Sequence, residues 1–110
     1  MRRVIVESPY AGDVARNMEY ANDALRNCLT RGEAPFASHV LYTTALDDSD
    51  PSERLLGIIA GLAWAATADA TVVYMDLGIS EGMRQGIAHA KGCFRPVEYR
   101  SLPAWSGQPY

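Results

Sequence analysis

Cysteine is scarce in this chain of 110 residues, which carries only Cys28 and Cys93. Two thiols so far apart do not match the ligand spacing of a zinc site. They read as buried thiols in a reducing cytoplasm rather than as a disulfide. Long apolar runs are missing as well, and no unbroken stretch is long enough to cross a bilayer. The opening MRRVIVESPYAG has too short an apolar segment after its basic pair to be a signal peptide. Basic residues are not in excess: the formal charge is -3 and the pI about 5.2. That excludes a nucleic-acid-coating surface, but not a small anion held at a helix N-terminus by a few arginines. The dinucleotide fingerprint G-x-G-x-x-G, the phosphate-loop lysine motif, internal repeats and low-complexity segments are all absent. What remains is a single cytoplasmic domain over residues 1–102 with an irregular tail over 103–110. Neither a cofactor nor a metal is implied, and no nucleic acid or membrane partner.

Apolar runs and helical periodicities alternate along the chain. VIV at 4–6 predicts a short buried strand that breaks at Ser8, Pro9 and Gly12. Asp13 can cap a helix in which Val14, Met18, Ala21, Leu25 and Cys28 share one face, with Gly32 closing it. APFASHVLYT supplies a second strand centred on residues 36–38, with a loop beyond. The next helix, over 51–67, has Asp50 as cap, Pro51 at its first position and Glu53 completing a capping box. ATVVYMD is a third buried strand, and SEGMRQGIAHAKG is a helix capped by Ser80 and closed near Gly92. RPVEYRSL is a fourth strand. Alternation of this kind predicts an α/β fold, a small Rossmann-like three-layer sandwich of about four parallel strands with helices on both faces.

In such sheets ligands sit beyond the carboxyl ends of the strands, and the candidate chemistry clusters there. After the first strand, Ser8, Pro9, Tyr10 and Gly12 form a turn with an aromatic hydroxyl and a glycine that lets backbone approach a ligand. Ser38 and His39 follow the second strand; as strand neighbours they point to opposite faces and do not pair as nucleophile and base. After the third, Asp76 can accept bonds from ribose hydroxyls, Gly78 permits close approach, and Ser80 with the next amides makes an anion-binding helix start. Glu81, in the first helical turn, either faces the crevice or serves only the helix dipole. One of Asp47, Asp48 and Asp50 can reach the site from its loop, Arg54 can pair with phosphate or with those aspartates, and His89 reads as a surface residue. Trp105 and Tyr110 of the tail either stack a base or pack on the core. The helix over 51–67 carries no charge between Leu55 and Ala66. It is apolar round nearly its whole circumference and so is buried on more than one side. That points to a homodimer or higher homo-oligomer through this helix, with Trp64 as an anchor.

The segments VIVESPYAG, RNMEYANDALRNCLTRGEAPFASH and TADATVVYMDLGISEGMRQGIAHA together resemble the nucleoside 2-deoxyribosyltransferase superfamily, in particular small phage and prophage members of unassigned function. The likeness runs over roughly residues 3–100 and is most specific in S-P-x-x-G with Asn17 following, the AD before the third strand, and D-x-G. It implies oligomers with sites near subunit interfaces, nucleoside or nucleotide substrates, and cleavage of the N-glycosidic bond by a carboxylate nucleophile. It also implies Tyr10 near that nucleophile or the sugar, Asp76 on the ribose side and Ser80 near a 5′-phosphate. Active members carry the nucleophilic Glu two residues before the helix Gly, as E-x-G. Here the stretch is RQG, with Arg84 in the Glu position and Glu81 almost one turn earlier. Glu81 either takes over as nucleophile, with Asp76 orienting the sugar and Tyr10 or His39 as proton donor, or the chain is a non-catalytic nucleotide-binding module in which Arg84 meets a phosphate.

Overall fold

The computed structural model describes residues 1–107 and contains one sheet in the order β2-β1-β3-β4, all strands parallel. The strands are β1 (Arg2–Glu7), β2 (Glu33–Phe36), β3 (Ala70–Tyr74) and β4 (Val97–Arg100). The helices are α1 (Val14–Thr30), α2 (Ser38–Leu41), α3 (Pro51–Ala65) and α4 (Glu81–Gly92). A 3-10 turn at Tyr42–Thr44 follows α2. The chain runs outward from β1 to β2, then returns across β1 to β3 and β4. Right-handed crossovers in opposite directions place α1 on one face of the sheet and α3 and α4 on the other. The expected α/β sandwich with helices on both faces is the one observed.

Alternation along β1 sorts its side chains between the two layers. Val4 and Val6 join Tyr20, Ala24 and Cys28 in the core beneath α1, together with Val72, Tyr74 and Leu102. A smaller cluster of Val73, Met83 and Ile87 seats α4 on the opposite face. β3 is buried along its whole length, as the central strand of a parallel sheet should be. Pro35 is tolerated in β2 because that strand lies at the sheet edge. Beneath α1 the buried Arg100 guanidinium forks onto both oxygens of Glu33, each at 2.7 Å, and holds that carboxyl below its usual range.

Three local expectations are revised. The second strand ends at Phe36, and Ser38 and His39 stand in the short helix α2, not at a strand end. Asp50 does cap α3, its side chain accepting from Ser52 N, but Glu53 reaches Asp47 N at 3.1 Å and does not close a capping box. Cys28 is buried while Cys93 is exposed, and both thiols are free. Among the described residues no helix is long and apolar enough to cross a membrane.

Candidate functional site

A cavity of about 540 Å³ opens on the face of the sheet that carries α3 and α4. Its floor is Ile5 and Glu7 of β1, the two positions that alternation turns away from α1. Ser8 and Tyr10 continue the floor beyond the end of β1, at the point where the strand order switches between β1 and β3. One wall is α2 and α3, the other α4.

Glu7 is the least expected of these residues. Its carboxyl lies against Gly86 in the middle of α4, and a Cβ at Gly86 would stand 2.5 Å from Glu7 Cδ and 2.8 Å from Oε1. The glycine therefore makes room for the acid, which accounts for a residue that otherwise costs helix stability. The Glu7 carboxyl makes no hydrogen bond or salt bridge among the described residues. Burial pushes its pKa up to about 8, and the charge of Arg95 only partly opposes that. Arg95 is itself held in place, donating from Nε to Thr71 Oγ1 at 3.0 Å and from Nη1 to Ala65 O at 3.0 Å. Its third nitrogen stands 3.3 Å from His89 Nδ1, which accepts. His89, expected at the surface, lines the cavity because residues 81, 85 and 89 recur on one face of α4.

Ser8 Oγ and His39 Nε2 are hydrogen-bonded at 2.6 Å. The serine that meets His39 is thus Ser8, just past the end of β1, not its neighbour Ser38. Burial pulls the imidazole pKa down to about 4, so it is neutral at physiological pH. His39 Nδ1 has no partner among the described residues, and the pair lacks the orienting acid of a triad. Ser38 lines the cavity and packs on Gly61, where a Cβ would come within 2.8 Å of Ser38 Cβ. Asn17, buried on α1, donates to Tyr10 O at 2.9 Å and to Ala11 O at 3.0 Å, and so fixes the turn that presents Tyr10. Gly12 adopts φ +99° in that turn, but neither it nor Pro9 lines the cavity.

At α4, Ser80 lines the cavity while its hydroxyl caps the helix by accepting from Met83 N at 3.3 Å. Glu81 lines the cavity and is exposed to solvent, whereas Arg84 points off the cavity-facing stripe. Asp76 departs from the expected ribose contact. Its carboxylate accepts from Tyr20 Oη at 2.7 Å, from Leu102 N at 2.8 Å and from Ser106 Oγ at 3.0 Å. It faces the α1 layer, where it ties the C-terminal segment down, and does not line the cavity. Gly78, at φ +85°, turns the chain between Asp76 and α4 and also lies outside the cavity. Asp48 and Arg54 do reach it, and Arg54 makes no side-chain hydrogen bond or salt bridge among the described residues. Trp105 packs on the core, its ring 5.2 Å from that of Tyr20 and its Nε1 donating to Asp23; Tyr110 lies outside the described residues. No group of three or more His, Cys, Asp or Glu able to hold a metal ion occurs among the described residues.

Residues 2–100 match the family model described as Domain of unknown function (DUF7768). The chain belongs to that family. Curated proteins give no match. Among solved structures, the fold of this DUF7768 member is similar to the 2-deoxyribosyltransferase of the psychrotolerant bacterium Bacillus psychrosaccharolyticus. The TM-score is 0.67 at 16% identity, over 98% of this chain and 76% of that one. An identity that low establishes a shared fold and leaves chemistry to the residues of the site.

Sequence reasoning passed over Glu7, Gln85 and Arg95, all of which line the cavity. A signal for Glu7 was present: it is a charged residue closing an apolar strand, in register with Ile5 and out of register with Val4 and Val6. Arg95 gave no comparable signal, since its partners Thr71, Ala65 and His89 come from three separate elements.

Proposed function

We propose that the cavity binds a nucleoside or nucleoside monophosphate and acts at its N-glycosidic bond, as a hydrolase or a transferase. One observation carries this reading. A single pocket brings Glu81 and a second carboxyl, Glu7, together with the Tyr10 hydroxyl, at the switch point of a sheet whose fold is that of a 2-deoxyribosyltransferase. Its volume suits a ligand of nucleoside size. Glu81, solvated at the start of α4, is the nucleophile toward the anomeric carbon, through an oxocarbenium-like transition state. Arg54, whose side chain makes no hydrogen bond or salt bridge among the described residues, meets the 5′-phosphate of a monophosphate, with the N-terminus of α4 at Ser80 nearby. Asn17 acts at one remove, by holding the backbone of the Tyr10 turn. The outer side of α3 exposes Leu55, Leu56 and Ile59, each by more than half, and is the contact through which two copies form a homodimer.

A second reading is a non-catalytic module that binds a nucleotide to sense or sequester it. It is favoured by Arg84 at the position where active deoxyribosyltransferases carry Glu, although that arginine lies off the cavity and so does not meet the phosphate expected of it. One experiment separates the two. The protein is incubated at high concentration with nucleosides and their monophosphates, free base is measured by chromatography, and melting is followed with each compound. Released base supports the enzyme. An intact pool with a ligand-dependent rise in melting temperature selects the binding module. An intact pool with no rise overturns both.

A further inference from the structure

We propose that Glu7 is the general acid of this cavity, a carboxyl on β1 that passes its proton to the departing nucleobase. The assignment rests on the nucleoside reading given above and deepens it. Three geometric facts carry it. The side chain points into the cavity and has no hydrogen bond or salt bridge among the described residues, so its carboxyl is unclaimed by the fold. The helix facing it is glycine at the point of contact, where a Cβ would meet the end of the Glu7 side chain as it stands. And His39, another donor that lines the cavity, is engaged with Ser8 at 2.6 Å. Five residues separate Gly86 from Glu81, about 7.5 Å along a helix rising 1.5 Å per residue. A sugar ring with its base fits between an acid at the first position and a nucleophile at the second.

Charge supports the same role. Tyr10, His39, Tyr42, Arg54, Glu81, His89 and Arg95, together with Asp48 and Glu53, face the cavity from α2, the 3-10 turn, α3, α4 and the adjoining loops. Only Arg95 acts on Glu7 by its charge, in the direction of ionisation, and burial outweighs it. The carboxyl therefore holds its proton at neutral pH, with a pKa near 8, the condition a general acid needs close to its working pH.

The step balances. Glu81 Oε forms a bond to C1′ as the C1′–N bond breaks, its electron pair goes to the base, and the Glu7 proton moves to a base nitrogen or oxygen. Water then attacks C1′, Glu7 carboxylate takes its proton, and the pair of the C1′–O bond returns to Glu81. Nucleoside and water become base and sugar.

The wild-type protein, with ¹³C at the Glu δ-carbons and Glu7 assigned by its loss in Glu7→Gln, is titrated by NMR without ligand. A midpoint near 8 is expected, and a midpoint in the ordinary carboxylate range, about 4.3, overturns the proposal while leaving the nucleoside reading intact. Glu7→Gln is then assayed on 2′-deoxyadenosine and on the 2-deoxyribosyl ether of 4-nitrophenol, whose leaving group needs no proton. A loss of at least 100-fold on the nucleoside against a few-fold on the ether supports the general acid. Equal losses on both overturn it. Wild-type protein that releases neither leaving group, with Glu7 still titrating near 8, overturns the nucleoside reading and with it the task assigned to Glu7.

Discussion

Glu7 and His39 sit within one cavity and respond to burial in opposite directions, so they leave opposite marks on stability. The folded Glu7 keeps its proton to about pH 8 against 4.5 for the free side chain. Between those values the folded state holds a proton that the unfolded chain has lost, so stability falls as pH rises. The folded His39 loses its proton near pH 4 against 6.5. There the unfolded chain holds the extra proton, and stability rises with pH until about 6.5. The two slopes cancel from about 4.5 to 6.5 and leave the Glu7 loss alone above that. Wild-type melting temperature is expected to be flat across the lower window and to fall between pH 6.5 and 8, by an amount equivalent to about 2 kcal/mol. Glu7→Gln removes the fall, and its melting curve rises from pH 4.5 to 6.5 and is level beyond. Calorimetric scans of both proteins across this range check it; identical profiles would mean that Glu7 ionises normally. Arg54 acts on the ligand independently of Glu7 and His39. Arg54→Ala weakens a nucleoside monophosphate by about tenfold or more, the worth of one charge-assisted phosphate contact, and leaves the parent nucleoside within twofold. Isothermal titration with the pair of ligands measures both, and equal losses would remove the phosphate from that side of the cavity.

At the scale of the element, the unusual contact is a helix bearing glycine where a strand bears an acid. An alanine in an exposed helix interior gains up to about 1 kcal/mol over glycine. At position 86 the added Cβ meets the far end of the Glu7 side chain, which must swing aside into the cavity, and that displacement offsets the gain. Gly86→Ala is therefore expected to stabilise the wild type less than it stabilises a Glu7→Ala background where the obstruction is gone. The difference in urea denaturation is a coupling energy of the kind that contacting residues show. Additive effects would place Glu7 elsewhere than against α4. Helices and strands were legible in the sequence wherever one period dominated, as in VIV, ATVVY and the face of α1 from Val14 to Cys28. The end of β2 was not, because FASHVL offers a strand-like apolar run while α2 forms through contacts with α3 that no local pattern announces. Asp76 shows the same limit. A carboxylate at a strand end reads as a ligand contact, and only the tertiary structure reveals that Tyr20, Leu102 and Ser106 already occupy it. Asp76→Ala leaves those donors buried without an acceptor and is expected to cost about 3 kcal/mol or more, measured by urea unfolding.

For the molecule as a whole, α3 has two apolar sides with different fates. Gly57, Ile58, Gly61 and Ala65 face the cavity and α2. Leu55, Leu56 and Ile59 stand on the other side with 55–56% of their surface exposed, while Trp64, 57% exposed, lies toward Phe36, its ring 5.9 Å away. Three large side chains left half in water on one side of a helix forfeit about 2–4 kcal/mol of burial that a second copy would recover. A two-fold axis would bring the same patch against itself, so one self-complementary surface would close the assembly at two chains. Sedimentation equilibrium at micromolar concentration is expected to give twice the 12.0 kDa of the single chain. Leu56→Glu should return it to the single-chain mass, because a dimer would bury two facing carboxylates without partners. The same change should weaken nucleoside binding, since the helix it frees is also the cavity wall that carries Arg54 and packs Gly61 against Ser38. A wild type that sediments as a single chain would leave α3 as a wall of the cavity alone. A Leu56→Glu monomer that binds with wild-type affinity would separate assembly from the site.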